Sequence, residues 1–515
     1  MRLLFVNVSV ERYAYSEQST KQQSRKTTHE RGAVMERKNA WKAFDEAALA
    51  ELEVVSKGYI DFISECKTER ECVARAIKMA EDNGYVSLDA IRSQNGSLKP
   101  GDKVWTDCYG KAIILVQVGQ KPFEEGMNIL GAHVDSPRLD IKQNPVYESS
   151  DFAYLDTHYY GGIKNYQWVT LPLAIHGVIA KTDGSVVEVT IGEDPADPVF
   201  CVTDLLPHLG NEQMKKTAQD VIEGESLDIL AGNRPLVIDK EEAKAAAEKD
   251  DPSYGEQIKA LSQKEAVKAN LLSLLLQAYD MEEEDFLSAE LEVVPAGRAR
   301  ECGFDCSMVL GYGQDDRVCA YTSLIAQLAV ENPEHANVCI LVDKEEIGSV
   351  GATGMTSRFF ENTIAEVMSL AGEMNPLALR RCLASSAMLS SDVSAAFDPA
   401  YPQVYETKNT AYFGRGMVFN KFMGARGKSG GNDANAEYIA QLRRVMDEAG
   451  VHYQTGEIGR VNAGGGGTIA YILAEYGMNV IDSGVAVLSM HSPWEVTSKA
   501  DIYEAYRGYK AFLNA

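Results

Sequence analysis

Among the residues whose types and spacing could do chemistry, His133 and Asp135 come first, directly after a short apolar run. Residues two apart in an extended chain lie on the same face, so the Asp135 carboxylate can orient the His133 imidazole. A metal-bound histidine usually needs such a partner for its second ring nitrogen. One His-x-Asp pair is weak evidence on its own, and its weight depends on the segments that follow.

Two further segments each contain a pair of adjacent carboxylates. Asp315 and Asp316 follow a Gly-Tyr-Gly turn; one of them could bridge two cations, or the pair could cap the next helix. Glu345 and Glu346 come shortly after the apolar run 338–342. At a centre with two metal ions, one of these glutamates can be a ligand while the other stays free as a general base.

The remaining candidates are His491, which follows another apolar run, and Asp392 in the middle of the chain. Two histidines, three carboxylate ligands and one carboxylate base form a set that is rich in nitrogen and oxygen donors. Such a set suits a pair of divalent ions such as zinc and differs from a thiolate site. Cys302 and Cys306 lack a second Cys/His pair at zinc-finger spacing, so they are interpreted as ordinary thiols.

These residues need a framework that brings strand ends together, and the sequence predicts an α/β fold. Apolar runs bounded by glycine, such as 112–118, are typical of buried strands. Strands alternate with helices again from about residue 316 to the C-terminus, and the ligands of α/β sheets gather at the carboxyl ends of strands. The predicted divisions are 1–34, a disordered extension or an incorrectly assigned start; 35–141, the first catalytic part; 142–297, an inserted domain; and 298–515, the second catalytic part.

The composition excludes several classes of function. The 515 residues include 50 Lys+Arg and 75 Asp+Glu, which gives a net charge of −25. That charge repels phosphate backbones and anionic lipid, so neither nucleic acid nor a membrane is a predicted partner. No apolar run approaches the ~20 residues needed to span a bilayer, and the N-terminus has no recognisable signal peptide. Nine sparsely placed cysteines fit reduced thiols, so the predicted location is the cytoplasm.

Taken in this order, the motifs resemble those of the aspartyl aminopeptidase and vacuolar aminopeptidase I family of dinuclear zinc metallopeptidases, in its bacterial branch. The resemblance runs from residue 35 to residue 515. It includes three glycine-containing segments: Tyr160-Gly-Gly162, Arg426–Asp433 and Gly464–Gly467.

The resemblance implies a metal-dependent aminopeptidase, a hydrolase that removes N-terminal amino acids from peptides with two divalent ions per subunit. Zinc is the expected metal, with cobalt or manganese as alternatives. The implied fold is α/β: a catalytic domain with a central mixed sheet flanked by helices, interrupted by an inserted β-rich oligomerisation domain. The subunits would assemble into a homo-oligomer, a tetrahedral dodecamer.

The resemblance also implies a role for each candidate residue. The five metal ligands would be His133 and Asp392 for one ion, Glu346 and His491 for the other, and Asp316 as the bridge between them. Asp135 would orient the neighbouring ligand histidine. Glu345 would be the general base, taking a proton from the metal-activated water and returning it to the leaving amine.

Four residues are candidates for contact with the substrate. His208, in a Leu-Pro-His-Leu segment, would reach the active site of a neighbouring subunit and complete its pocket. Lys421 and Lys428 correspond in position to the family's substrate-side loop, where they could pair with an acidic first residue or be ordinary surface lysines. Gly465, in the glycine run, is the fourth candidate.

The chain departs from the aspartyl-type pattern after Asp392, where it reads Val-Ser-Ala-Ala-Phe-Asp-Pro in place of a His-rich segment. We therefore expect cleavage of neutral as well as acidic N-terminal residues. Two alternatives remain open at this point. One is a dinuclear-metal deacylase of N-acyl amino acids, and the other is a non-catalytic relative that acts as a scaffold.

Overall fold

The computed structural model describes residues 38–515, so the predicted division 1–34 lies outside the described residues. This part of the chain forms 20 β-strands: β1 Val86–Ser87, β2 Lys103–Cys108, β3 Ala112–Gln117, β4 Met127–His133, β5 Arg138–Ser149, β6 Phe152–Tyr160, β7 Leu173–Ala180, β8 Val186–Ile191, β9 Ile229–Gly232, β10 Ala289–Pro295, β11 Arg300–Cys302, β12 Met308–Gly311, β13 Ala336–Val342, β14 Ala387–Ser390, β15 Ser394–Ala395, β16 Met417–Asn420, β17 Tyr453–Thr455, β18 Asn479–Gly484, β19 Ala486–Leu488 and β20 Glu495–Ser498.

The same residues form 12 α-helices: α1 Glu46–Glu65, α2 Glu69–Asp82, α3 Leu88–Ser93, α4 Lys240–Ala247, α5 Tyr254–Leu261, α6 Ala266–Tyr279, α7 Gln314–Leu328, α8 Phe359–Leu370, α9 Ala378–Ser385, α10 Ala436–Ala449, α11 Ala470–Ala474 and α12 Lys499–Leu513. Within residues 38–515, none of the helices combines the length and the apolar character needed to cross a membrane.

The largest sheet is mixed and has nine strands in the order β1-β2-β3-β13-β4-β14-β18-β16-β17. At its centre β13, β4, β14 and β18 run parallel to one another, whereas β3 and β16 pair antiparallel on either side. Every residue of β3 and of β13 is buried. Apolar strands without polar alternation are expected in a sheet that is covered on both faces.

Alternate residues of the central strands enter two separate cores. In β13, Cys339 and Leu341 belong to the core that contains α1, α7 and α12. Their neighbours Val338 and Ile340 belong to the core that contains α8 and α9. Because successive side chains of a strand point to opposite faces, the sheet is flanked by helices on both sides. The predicted α/β fold with a central mixed sheet is confirmed.

Three candidate segments leave the carboxyl ends of neighbouring parallel strands. β4 ends at His133, which is in register with the last residue of β13. After β13 the chain forms a single 3₁₀ turn, Glu345–Ile347. β14 ends at Ser390, two residues before Asp392, and is parallel to β4. The parallel register therefore brings these segments to one edge of the sheet.

A second, antiparallel sheet has six strands in the order β8-β7-β10-β5-β6-β9, all between Arg138 and Pro295. Its core includes Trp168 and Leu272, the latter from α6. The predicted inserted domain, 142–297, covers most of this sheet, although β5 already starts four residues earlier. The divisions 35–141, 142–297 and 298–515 stay a prediction.

The third sheet, β11-β12-β20-β19-β15, carries the remaining two candidate segments. β12 leads through Gly313 to Asp315, and β19 leads to His491. β20 then begins at Glu495 and pairs antiparallel with β12. Two loops that are far apart in the sequence are thereby placed side by side.

A buried arginine connects α2 to the six-stranded sheet. Arg138 Nε lies 2.8 Å from Asp140 Oδ1 and 3.1 Å from Glu292 Oε2, and Nη1 lies 3.6 Å from Glu69 Oε2. Its guanidinium also stacks on Tyr160, with 3.9 Å between Cζ and the ring centroid. Since a buried charge needs such partners, this cluster constrains the Tyr160 ring at the edge of the site.

Candidate metal centre and active site

His133 is buried at the end of β4, and its own chain holds one of its ring nitrogens. Nδ1 lies 3.0 Å from the carbonyl oxygen of Asp135 and 3.3 Å from Asp135 Oδ1. Nε2 faces the centre of the site, 3.3 Å from Asp315 Oδ1. This arrangement supports an orienting role for Asp135 and leaves Nε2 as the ligand atom.

The Asp135 carboxylate also positions the turn after β13. It accepts the backbone N–H of Glu345 at 3.1 Å and that of Glu346 at 3.2 Å. The Tyr160 hydroxyl donates to Asp135 Oδ2 at 2.8 Å. Burial acts to raise the pKa of Asp135, but the hydrogen bonds with His133 and Tyr160 and the charges of His133 and Arg138 together keep that pKa below its usual value. One ionised carboxylate thus contacts a histidine and the backbone of both glutamates.

Asp315, and not Asp316, is the carboxylate that lies between the two histidines. Asp315 Oδ1 is 3.3 Å from His133 Nε2, and Asp315 Oδ2 is 3.1 Å from His491 Nε2. Asp316 Oδ2 instead accepts the backbone N–H of His133 at 3.3 Å. This geometry favours Asp315 as the bridge over Asp316, the residue predicted from the sequence. Both aspartates have non-helical backbone angles at the start of α7, and the peptide bond between them is cis.

Two groups of potential ligands share Asp315. The groups are His133, Asp315 and Asp392, and Asp315, Glu346 and His491, with the ligand atoms of each group within 4.8 Å of one another. His491 Nδ1 lies 2.9 Å from the carbonyl oxygen of Gly162, which leaves Nε2 to face Asp315 and Glu346. The structure therefore brings together all the sequence-predicted ligands except Asp316, whose place Asp315 takes.

The residues present fit a divalent metal. Both groups offer imidazole nitrogen and carboxylate oxygen without thiolate, which suits zinc. Glu346 Oε1 is buried and makes no hydrogen bond within residues 38–515. A buried carboxylate oxygen without such a partner is expected where the oxygen faces a cation.

Glu345 belongs to neither group of ligands. Its Oε2 lies 4.0 Å from His133 Nε2, and its side chain is 17% exposed. Burial raises the pKa of Glu345 to about 7, although the positive charge of His133 opposes the rise. A carboxyl group that titrates near neutral pH can both accept and return a proton.

The structure of one subunit does not bring His208 to this site. His208 is exposed and makes no hydrogen bond or ion pair with any residue between 38 and 515. Its neighbours Leu205, Leu206 and Leu209 are 53%, 50% and 70% exposed. Such a run of exposed leucines is typical of a surface that another chain covers.

Lys421 and Lys428 both bind an aspartate of their own chain. Lys421 Nζ lies 2.5 Å from Asp433 Oδ1, and Lys428 Nζ lies 2.8 Å from Asp433 Oδ2. All three side chains are partly exposed. The two lysines that the sequence suggested for binding an acidic substrate are thus already paired with the Asp433 carboxylate.

Gly465 packs closely against the loop that carries Lys428. Its φ is +147°, and a Cβ at this position would lie 2.9 Å from Ala425 Cα and 2.9 Å from the Gly424 oxygen. The two loops line a pocket of about 230 Å³. Glycine is needed here for the close approach of the two backbones, whatever its part in substrate binding.

Sequence reasoning missed three contacts at the site. Tyr160 and Gly162 stood out only as part of a glycine-containing motif, and Glu495 did not stand out at all. In the structure Tyr160 supports Asp135, the Gly162 carbonyl oxygen holds a histidine, and Glu495 accepts the backbone N–H of His491 at 2.7 Å. Apart from the motif itself, no local signal reveals these contacts, because each joins segments that are distant in sequence or runs through the backbone.

At one edge of the α/β sheet, histidines and carboxylates surround one shared aspartate, and a glutamate outside both ligand groups lies beside them. Such a fold and site are those of a metal-dependent hydrolase. Residues 62–513 match the family described as aminopeptidase I zinc metalloprotease, M18. The chain is 58% identical over 481 residues to a probable M18 family aminopeptidase 1 of Clostridium acetobutylicum, covering 93% of this chain and 99% of the relative.

Solved structures agree with the sequence comparison. The M18 aminopeptidase of Thermotoga maritima superimposes with a TM-score of 0.85 at 41% identity, over 93% of this chain and 100% of that chain. Aminopeptidase I of Clostridium acetobutylicum gives a TM-score of 0.83 at 54% identity, over 94% of this chain and 100% of that chain. The chain belongs to the M18 family and is a metal-dependent aminopeptidase. The predicted family and enzyme class are confirmed, and the deacylase and scaffold alternatives are not favoured.

Replacing the two adjacent aspartates one at a time tests which of them is the shared ligand. Asp315→Asn should lower metal affinity beyond the ~10–100-fold typical of a residue outside the ligand set, since both groups lose a charge. Asp316→Asn should retain bound metal, because an amide oxygen can still accept the His133 N–H. Elemental analysis after dialysis measures both. Loss of metal from Asp316→Asn alone would restore Asp316 as the bridge.

Proposed function

We propose that this chain removes N-terminal residues from peptides at a centre of two divalent ions, with Glu345 as the general base. The observation that carries the proposal is the shared Asp315 carboxylate, which belongs to two groups of ligands at once. Glu345 lies beside both groups without belonging to either, so its carboxylate remains available for proton transfer.

The first ion would be held by His133, Asp315 and Asp392, and the second by Asp315, Glu346 and His491. We propose zinc as the native metal, with cobalt and manganese as alternatives that accept the same donors. When bound, such ions polarise the scissile carbonyl and make water acidic enough to lose a proton near neutral pH.

The residues of the chain carry out the proton movements. Glu345 accepts the proton of the attacking water on its carboxylate and delivers it to the amine that leaves. Asp135 keeps Glu345 in place by accepting its backbone N–H at 3.1 Å, and the Tyr160 hydroxyl supports that carboxylate in turn. Because the base is anchored through its backbone, its side chain remains free to turn between water and the leaving amine.

Glu345→Gln should lower kcat at least ~100-fold while the bound metal stays in place, because only the base is lost. Steady-state rates on aminoacyl-anilides and elemental analysis measure the two effects. Glu361→Gln, on α8, is a control in which a surface glutamate that pairs with Arg358 loses the same charge. A fully metallated Glu345→Gln enzyme with the activity of that control would contradict the base assignment.

We propose that the subunits assemble into a tetrahedral dodecamer in which His208 of one subunit completes the active site of its neighbour. The dodecamer-forming mApe1 of Saccharomyces cerevisiae shares the fold at 21% identity and a TM-score of 0.69. The exposed leucines around His208 offer the contact surface. A cavity of about 710 Å³, lined by 161–166, 218–220 and 222–224, offers space for an incoming segment beside Gly162, whose carbonyl oxygen contacts His491.

Mixed oligomers test this exchange of residues. His208→Phe should lower kcat ~100-fold without loss of metal, since it removes a polar group aimed at the substrate carbonyl. Subunits with His208→Phe, expressed together with Glu345→Gln subunits, should regain activity, because some sites combine an intact base with an intact histidine from the neighbour. If the mixed oligomers keep their size but gain no activity, His208 does not belong to the active site of the neighbouring subunit.

The substrates proposed are peptides with neutral as well as acidic first residues. Lys421 and Lys428 already bind Asp433, so their attraction for an acidic side chain is reduced. Turnover of aspartyl, glutamyl, leucyl and methionyl substrates should therefore fall within ~100-fold, about 2.7 kcal/mol. Aspartyl turnover that exceeds all neutral residues by more than this factor would show strict acidic specificity.

We place the enzyme in a reducing compartment, the cytoplasm. All nine cysteines of the chain are free, including the buried Cys66 and Cys72. Buried thiols without a disulfide are typical of proteins from reducing compartments.

A further inference from the structure

Glu495 is a buried carboxylate that joins the two loops of the third sheet. Its residue is 1% exposed. One carboxylate oxygen accepts the backbone N–H of His491 at 2.7 Å, and the other accepts the backbone N–H of Asp315 at 3.1 Å. The two residues that it holds are neighbours in space, with 3.1 Å between His491 Nε2 and Asp315 Oδ2.

We propose that Glu495 is a positioning residue that sets the spacing of Asp315 and His491 and thereby the affinity for one of the two ions. The inference rests on the proposed function, because it takes these two residues as ligands. Both hydrogen bonds that Glu495 makes to these residues go to their backbone N–H groups.

Both loops need an external hydrogen-bond acceptor at these points. His491 has a φ of +65°, a left-handed conformation that residues with a Cβ rarely adopt. Asp315 has an extended backbone, with φ −82° and ψ 105°, at the start of α7, where the first N–H groups of a helix have no partner within the helix. Glu495 supplies the missing acceptor to both residues with one side chain.

The Glu495 side chain is itself held in place by packing and pairing. It begins β20, where its register partner is Gly311 of β12. The Gln314 amide donates to the backbone oxygen of Glu495 at 2.5 Å, and Tyr59 donates to Gln314 Oε1 at 3.2 Å. A rigid support of this kind is what a carboxylate needs if it is to fix two loops relative to each other.

The consequence differs between the two groups of ligands. Glu495 supports two of the three ligands in one group, which consists of Asp315, Glu346 and His491. It supports only one ligand in the other group, which consists of His133, Asp315 and Asp392. On the His133 side, Asp135 gives independent support, because its carboxylate and its carbonyl oxygen both lie beside His133 Nδ1. Loss of Glu495 should therefore weaken the binding of one ion far more than that of the other.

Asp501 provides a matched control elsewhere in the chain. It is also fully buried, and it accepts the backbone N–H of Gly414 at 2.8 Å and that of Gly416 at 2.7 Å. It contacts none of the proposed ligands. Asp501→Asn and Glu495→Gln each replace one of two acceptor oxygens by an amide that faces an N–H, so both should lower the melting temperature.

The experiment compares the whole enzyme with these two variants by titrating the metal-free proteins with cobalt, followed by visible absorption, and with zinc against a chelator. Glu495→Gln should bind one of the two ions ~10–100-fold more weakly, with a changed cobalt spectrum for that ion. Asp501→Asn should bind both ions as the wild type does. If Glu495→Gln does not fold, Glu495→Asp, which keeps the carboxyl group but draws it back, should weaken the binding of the same ion.

Three results would overturn the inference. In the first, both Glu495 variants bind two ions with wild-type affinity and spectra. In the second, Asp501→Asn loses metal to the same extent, so that the effect is one of general stability. In the third, Glu495→Gln lowers the affinity for both ions equally. A wild-type enzyme that binds no ion would instead overturn the proposed function, and the two failures are therefore distinguishable.

Discussion

The structure of this protein depends on one buried carboxylate that two histidines share. Asp315 lies between His133 and His491, and it draws ligands from both sides of the site into range of one another. Burial opposes the ionisation of Asp315, but its hydrogen bonds with both histidines lower its pKa. Burial and the negative charge of Asp315 both raise the pKa of Glu346. So much negative charge in a buried pocket is stable only beside positive charge, which is the electrostatic reason why the site suits cations.

The scaffold meets this requirement by placing the proposed ligands on short loops at the ends of strands. The parallel strands β4, β13 and β14 bring three ligand segments to one edge through their register. Two buried carboxylates that are not ligands, Asp135 and Glu495, then accept backbone N–H groups from these loops. The precision of the site therefore comes from hydrogen bonds to the backbone as much as from the ligand side chains, as in other centres where outer residues orient the ligands.

The six-stranded sheet also contributes directly to the site. Tyr160, at the end of β6, donates to Asp135, and the carbonyl oxygen of Gly162 holds the Nδ1 atom of His491. Arg138 fixes the Tyr160 ring by stacking on it, while its own charge is balanced by carboxylates of α2 and of the sheet. A change in how this sheet packs on the rest of the chain would therefore be transmitted to the ligands.

Local pattern was sufficient to predict the α/β architecture and the candidate segments. Buried strands of a covered sheet are continuous apolar runs, and ligands follow their carboxyl ends, so His133, Glu345, Glu346, Asp392 and His491 could be selected along the chain. The resemblance of the motifs to a known family supplied their roles. Both kinds of information are carried by short stretches of sequence.

The choice between Asp315 and Asp316 was different, because two adjacent carboxylates look equivalent until backbone angles direct one of them into the site. Glu495 and Asp315 are 180 residues apart, and their contact exists only because β12 pairs with β20. Asp433 likewise forms ion pairs with Lys421 and Lys428 because the glycine-rich loop folds back on itself. Short motifs determine which side chains are available for chemistry, whereas strand pairing and loop dihedrals decide which atoms meet, since those depend on contacts between distant parts of the chain.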